Sequence, residues 1–213
     1  MATILIIGAS RGIGLGTLKV ALKAGHTVRA LARSAAGIPV TDPNLEKISG
    51  DALDPAAVRA ALHGVDAVIQ TLGVSPSPEL FFKPTTLFSE ATRVLVGAME
   101  ETGVKRLICL TGFGAGDSRN RGGFLYNAAF HLFLARVYDD KDVQERIVQE
   151  SALDWMIVRP VILTNGPFTG RYRVLADPRA WGCGFISRAD VADFLVKQVT
   201  DDKYLHKTPV LTS

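Results

Sequence analysis

The 213-residue chain has little cysteine, no long apolar run and almost no charge imbalance, and each shortage removes a class of protein. Two cysteines, Cys109 and Cys183, are too few for a disulfide framework or a zinc site. Cys109, inside Leu107-Ile-Cys-Leu110, reads as a packing residue. No stretch reaches the ~18 consecutive apolar residues of a membrane span. The first residues lack the charged start and apolar core of a signal peptide. These absences predict a cytoplasmic protein without a membrane partner. Lys and Arg total 24 against 21 Asp and Glu, for a net charge of +3 without any basic run, so nothing points to nucleic acid. Internal repeats and low-complexity tracts are missing as well.

What is present is a large potential core. Hydrophobic residues make up 47% of the chain and the mean hydropathy is +0.20, which excludes long disorder. Strands and helices alternate. Strand patterns cover 3–7, 27–32, 46–49, 67–71, 106–110, 155–158 and 208–211. Helical patterns cover 13–24, 54–62 (Asp54 as N-cap, Pro55 at the first helical position), 84–102, a segment through Tyr138, 141–150, and a last helix from Ser187-x-x-Asp190 to Val199. This alternation predicts an α/β fold with a doubly wound, mostly parallel sheet of the Rossmann type and right-handed crossovers. The length suits one domain over 1–213, with a small C-terminal region on the substrate side (about 160–186) that does not separate from it.

The first strand ends in Gly8-Ala-Ser-Arg-Gly12-Ile-Gly14 and runs into a helix. Gly8 allows a sharp turn, Gly12 removes a side chain where backbone must approach a pyrophosphate, and Gly14 lets the helix pack close to the sheet. The helix N-terminus offers unpaired N–H groups and the positive end of its dipole to the phosphates. This is the pattern of a dinucleotide site, with Ser10, Arg11 and Ile13 in its wall.

The second strand, Thr27–Ala32, ends in Arg33-Ser34 and lacks the acid that accepts from the ribose 2′-OH in an NAD site. A guanidinium suits a 2′-phosphate, Arg11 adds a second cation, and Ser34 offers a hydroxyl. At about 1.5–3 kcal/mol per charge-assisted hydrogen bond, two arginines favour NADP(H) over NAD(H) by roughly a hundredfold or more. The alternative reading of Arg33 is a solvated loop residue.

In motif order and spacing over nearly its full length, the chain resembles the atypical short-chain dehydrogenase/reductases. Its closest likeness is to the single-domain branch that contains NmrA-like and flavin-reductase- or biliverdin-reductase-B-like proteins. The markers are the glycine turn, Gly50-Asp51-Ala52, Thr71-Leu72-Gly73, Leu153-Asp-Trp-Met-Ile-Val-Arg159-Pro160, Gly166-Pro-Phe-Thr-Gly170 and Ile186-Ser-Arg-Ala-Asp-Val-Ala192. The resemblance implies that Asp51 and Ala52 border the adenine and that Thr71, Leu72 and Gly73 pass the ribose; Pro160, which with Arg159 closes the strand 155–158, is counted with the cofactor-binding residues.

The Tyr-x-x-x-Lys pair of typical members is missing. Tyr138 and Lys141 are three apart and share a helix face, while Tyr126 has Phe130 four residues on. By resemblance, Lys141 is a cofactor-facing lysine that orients the nicotinamide; among Asp139, Asp140 and Asp142 it also reads as solvated. Thr111 stands where the superfamily keeps a catalytic serine or threonine, able to hold a substrate carbonyl or the nicotinamide carboxamide. Gly112 and Val161 stand where the flavin-reductase branch carries a serine and a histidine, and Ser118 is a substitute hydroxyl.

A site without an evident proton donor favours acceptors that need little acid help, such as flavins and quinones. Phe81, Phe82, Phe113, Phe124, Phe168 and Tyr172 are candidates for a stacking wall, though core or lid packing suits most of them as well. The segment 112–123 reads as a glycine-rich lid carrying Arg119 and Arg121, and His63 and His131 read as structural. The expected function is an NADPH-dependent oxidoreductase passing hydride to a flavin-, quinone- or carbonyl-type small molecule, as monomer or homodimer, without a metal. An NADP-binding regulator or redox sensor without turnover is the alternative. A sugar-nucleotide epimerase is a third reading, disfavoured because the chain is short for the usual C-terminal substrate domain.

Overall fold

The computed structural model describes residues 1–74, 85–119, 121 and 135–213. The readings placed on Phe81, Phe82, Pro84, Phe124, Tyr126, Phe130 and His131 lie outside them.

Near-continuous apolar runs with no polar alternation form strands covered on both faces. β1 (Thr3–Ile7) and β4 (Ala67–Gln70) are of this kind and take the centre of the sheet. β2 (Thr27–Ala32) and β3 (Leu45–Ser49) flank β1. β5 (Arg106–Leu110) and β6 (Asp154–Pro160) extend the sheet beyond β4. All six run parallel in the order β3-β2-β1-β4-β5-β6, so the crossover direction reverses between β1 and β4. Such a reversal opens a crevice above the carboxyl ends of the strands.

Five helices are described. α1 (Gly12–Lys23) and α5 (Arg188–Lys197) pack together over one face of the sheet. α2 (Pro55–Ala61), α3 (Leu87–Thr102) and α4 (Ala135–Glu150) cover the other. The core is therefore two layers. One contains Ile4, Ile6, Leu18, Ile108 and Phe194, and the other Leu5, Ile7, Leu95, Met99, Leu107 and Ile157.

Two expectations need correction. The sequence pattern divides 135–150 near Tyr138, whereas α4 runs unbroken through Asp139-Asp140-Lys141. Those polar residues stay helical because Asp140 and Lys141 are buried against α3. Three short strands also escape the sequence pattern: β7 (Ile162–Thr164), β8 (Arg173–Leu175) and β9 (Phe185–Ser187). β7 and β9 form a separate parallel pair. β10 (Val210–Thr212), placed slightly earlier by the sequence, joins β6 in parallel and β8 in antiparallel register.

Candidate functional site: a dinucleotide crevice over a buried ion-pair cluster

The first turn of α1 is built differently from the starts of α2, α3 and α5. α2 is capped by Asp54 and α5 by Ser187, while the Asp140 carboxylate reaches from α4 to accept from Phe88 and Ser89 N–H at the start of α3. Arg11, the N-cap of α1, makes no side-chain cap, and the first turn carries no acid. The leading amides of α1 are thus left to an external anion, which the dipole favours.

The three glycines have separate physical reasons. Gly8 sits at φ +92°, and a Cβ there would press on the Thr71 carbonyl; Gly14 admits no Cβ because the Gly8 carbonyl and the Thr71 hydroxyl fill the space. Both are required by the close approach of α1 to β1 and the end of β4. Gly12, at φ +57°, faces open space, so of the three glycines it is the one whose backbone stands bare toward a ligand. A pyrophosphate fits these features.

Ser10 and Ile13 are partly buried beside the turn, and Arg11, Arg33 and Ser34 are exposed. Neither arginine has an ion-pair partner among the described residues. Arg33 follows directly on β2, whose Leu31 carbonyl accepts from Gly8 N–H. Asp51 is exposed past β3, and its Oδ1 accepts from Leu53 N–H at 3.0 Å, which fixes the corner at Ala52. Leu72 and the exposed Gly73 follow β4, but the Thr71 hydroxyl donates to the Ile7 carbonyl at 3.1 Å. Its task is to join β4 to β1.

Beyond β5 and β6 lies a cluster that sequence reasoning missed. Arg159 is 0% exposed and grips Glu145, 1% exposed, with Nε–Oε1 at 3.0 Å and Nη2–Oε2 at 2.5 Å. Its Nη1 donates to Asp117 Oδ1 at 2.6 Å, and its guanidinium stacks on Trp181, 5.1 Å from the ring centroid. Burial alone would weaken the protonated guanidinium; the two carboxylates overcome that and raise its pKa. Thr111 donates its hydroxyl hydrogen to the same Glu145 Oε1 at 2.6 Å. A signal was available: a charged residue inside the apolar strand Asp154–Pro160 requires a buried partner. Pro160 ends that strand, and its carbonyl accepts from Phe113 N–H.

This cluster changes the reading of the expected lid. Its described part is tied down: Gly116 N–H donates to Asp142, Gly114 N–H to Ser118, Arg119 pairs with Asp139 and Asp142, and Arg121 donates to the Pro178 carbonyl. Ser118 is fully buried, which removes it as a substitute for the missing serine. Phe113 belongs to the core.

Lys141 is 7% exposed, which overturns its solvated alternative. Its Nζ lies 4.1 Å from the Phe88 ring centroid. Burial pulls its pKa down from 10.5 to about 8, with Cys109, Glu145 and Asp140 opposing. Cys109 below it accepts from Gln144 and donates to Gln70; burial pushes its thiol up to about 12, so it is not a nucleophile. Tyr138, three residues before Lys141, places its hydroxyl where a Cβ on residue 112 would stand, so the serine of the flavin-reductase branch would require the tyrosine side chain to shift. A separate concavity, lined by Arg59, His63, Asp66, Lys105 and Asp154, opens at the opposite edge, below the strand starts. Parallel sheets bind ligands at the other end.

Fold, turn and open helix start together define a protein of the doubly wound, dinucleotide-binding class. The chain belongs to the NAD(P)H-binding family, which it matches over residues 8–202. It is 28% identical over 208 residues to an uncharacterized sugar epimerase, YhfK of Bacillus subtilis, covering 93% of this chain and 88% of that protein. It is 27% identical to the reductase pytE of Aspergillus terreus, covering 99% and 97%. Among solved structures it resembles ChuY, an anaerobillin reductase from Escherichia coli O157:H7, with a TM-score of 0.80 and 27% identity over 99% of this chain and 96% of the other. The nicotinamide dinucleotide is thus the family's ligand. The similar length of YhfK shows that shortness does not by itself separate the epimerase name from this fold. No helix among the described residues is long and apolar enough to cross a membrane.

Proposed function

We propose that this protein is an NADPH-dependent reductase that passes hydride to a conjugated small-molecule acceptor of the flavin, quinone or related carbonyl type. The observation that carries the reading is the uncapped start of α1, with Gly12 facing open space directly after Arg11, and with Arg11 and Arg33 exposed and without an ion-pair partner among the described residues. The α1 amides and Gly8–Gly14 hold the pyrophosphate, Arg11, Arg33 and Ser34 hold the 2′-phosphate, and Asp51-Ala52 borders the adenine. Leu72, Gly73, Thr111, Lys141 and Pro160 receive the nicotinamide half. The bound dinucleotide supplies the hydride; the chain's own residues bind, orient and exclude water.

Support for a conjugated acceptor comes from the hydroxyls. Thr71 and Thr111, the two at the central strand ends, both donate inward to protein oxygens. Acceptors that take hydride without a protein acid suit such a site. ChuY and pytE, named as reductases, are consistent with this chemistry. The exposed Ile162, Phe168 and Phe185, in the segment 160–186, offer apolar surface on the substrate side. The same inward hydroxyls favour a second reading, an NADP-binding sensor without turnover.

NADPH oxidation measured with FMN, riboflavin, quinones and linear tetrapyrroles distinguishes the two. The reductase reading expects at least one acceptor to drive turnover well above the no-enzyme rate. Micromolar NADPH binding with every acceptor inert assigns the sensor role, and no binding of either coenzyme at millimolar concentration overturns both.

A further inference from the structure

We propose that the buried Glu145–Arg159 pair fixes Thr111 as a hydrogen-bond acceptor toward the nicotinamide end, so that it takes an N–H of the cofactor's carboxamide instead of donating to a substrate carbonyl. The inference rests on the cofactor reading above and adds a polarity and two positioning residues to it.

A threonine hydroxyl has one hydrogen and two lone pairs. Here the hydrogen goes to Glu145 Oε1 at 2.6 Å. Glu145 cannot return the bond, because a guanidinium has no acceptor and Arg159 takes up both carboxylate oxygens as a fork. Nor can the fork rotate away. Asp117 holds Nη1, Trp181 covers the guanidinium face, and a Cβ on Gly116 would collide with both Glu145 and Arg159, so the backbone closes the remaining side. The backbone of Thr111 is fixed as well, since its N–H donates to the Val158 carbonyl at 2.9 Å. Only lone pairs remain for a ligand.

Thr111 stands directly past β5, on the β4–β6 side of the crevice, opposite the β2–β3 side where Arg33 and Asp51 lie. A dinucleotide whose pyrophosphate sits on α1 and whose adenosine lies toward β2 and β3 extends its other half to this side. An amide N–H there meets a lone pair; a carbonyl oxygen there meets lone-pair repulsion. Glu145 and Arg159 therefore act through Thr111 without touching the ligand.

The test compares binding of NADP+ with its 3-acetylpyridine analogue, in which a methyl ketone replaces the carboxamide and no N–H remains. Calorimetry on wild type is expected to show the analogue about five- to tenfold weaker, the scale of one neutral hydrogen bond. In Thr111→Val the ratio falls to near one through weaker NADP+ binding, and in Thr111→Ser it is retained. A ratio that stays the same in Thr111→Val, or is lost equally in Thr111→Ser, overturns the inference. Failure of wild type to bind NADP+ at all overturns the cofactor reading instead. Both substitutions leave the Glu145–Arg159 pair in place, and Thr111→Ser keeps the hydroxyl, so a change confined to Thr111→Val in the ratio of the two ligands is assigned to that hydroxyl.

Discussion

At the scale of single residues, the site is governed by burial. Lys141 loses hydration under α3, and its charged form is destabilised until its pKa is about 8. The consequence for stability has a definite sign. Below pH 8 both folded and unfolded chains hold the proton, and the folded state bears the full desolvation penalty. Between pH 8 and the unfolded value of 10.5 the unfolded chain binds more protons, so stability rises with pH through that window. Lys141→Met is expected to stabilise the protein at pH 7 by on the order of 3 kcal/mol, since one pKa unit corresponds to about 1.36 kcal/mol, and to abolish the alkaline rise. Urea unfolding of wild type and Lys141→Met at pH 7 and pH 9 checks this, since above pH 9 the raised Cys109 thiol contributes with the opposite sign; the same pH dependence in both chains refutes the buried charge. Keeping an ammonium here at such a penalty makes sense where a ligand bears ribose oxygens and phosphates, and NADPH affinity in the same variant is expected to fall severalfold as stability climbs.

At the scale of elements, α3, α4 and the segment after β5 form one assembly joined by carboxylates of α4. Asp140 caps α3, Asp142 holds Gly116 and Arg119, and Glu145 holds Arg159 and Thr111. Asp140→Ala is expected to destabilise by about 2 kcal/mol, the scale of a lost cap with charge-assisted bonds, and Asp140→Asn by less than half of that. Denaturant midpoints of the two variants check it; equal losses would show that the capping geometry is not the cause. The same assembly marks the limit of what the sequence discloses. The βα units, the glycine turn and the uncapped helix are legible because each depends on neighbours within a few residues. The continuity of α4 is not, because Asp139-Asp140-Lys141 look like a polar break until α3 is placed beside them. Nor is the Arg159–Glu145–Asp117 cluster, whose members lie 14 and 42 residues apart. β7, β8 and β9 are three residues each, too short to show a period.

For the whole molecule, the crevice is where elements of both sheet halves meet, so its occupancy is coupled to global stability. A ligand that binds only the folded chain adds about 2.7 kcal/mol at a hundred times its Kd. In a domain of this length one kcal/mol moves Tm by about 2–4 °C. NADPH at that excess is therefore expected to raise Tm by about 5–10 °C, and, on the proposed 2′-phosphate role of Arg11 and Arg33, NADH at the same concentration by much less. Arg33→Asp reverses the electrostatics at the end of β2: its carboxylate repels the 2′-phosphate and accepts from a 2′-OH, so the larger shift should pass to NADH. The exposure of Arg33 means that the substitution itself leaves Tm of the free protein within about two degrees, since surface changes fall within roughly 0.5 kcal/mol. Thermal scans of both chains with each coenzyme give four shifts. If Arg33→Asp lowers the response to NADPH and NADH equally, the residue supports the turn generally and does not read the phosphate. If neither response changes, the selectivity lies with Arg11, whose position ahead of Gly12 puts it at the same helix start.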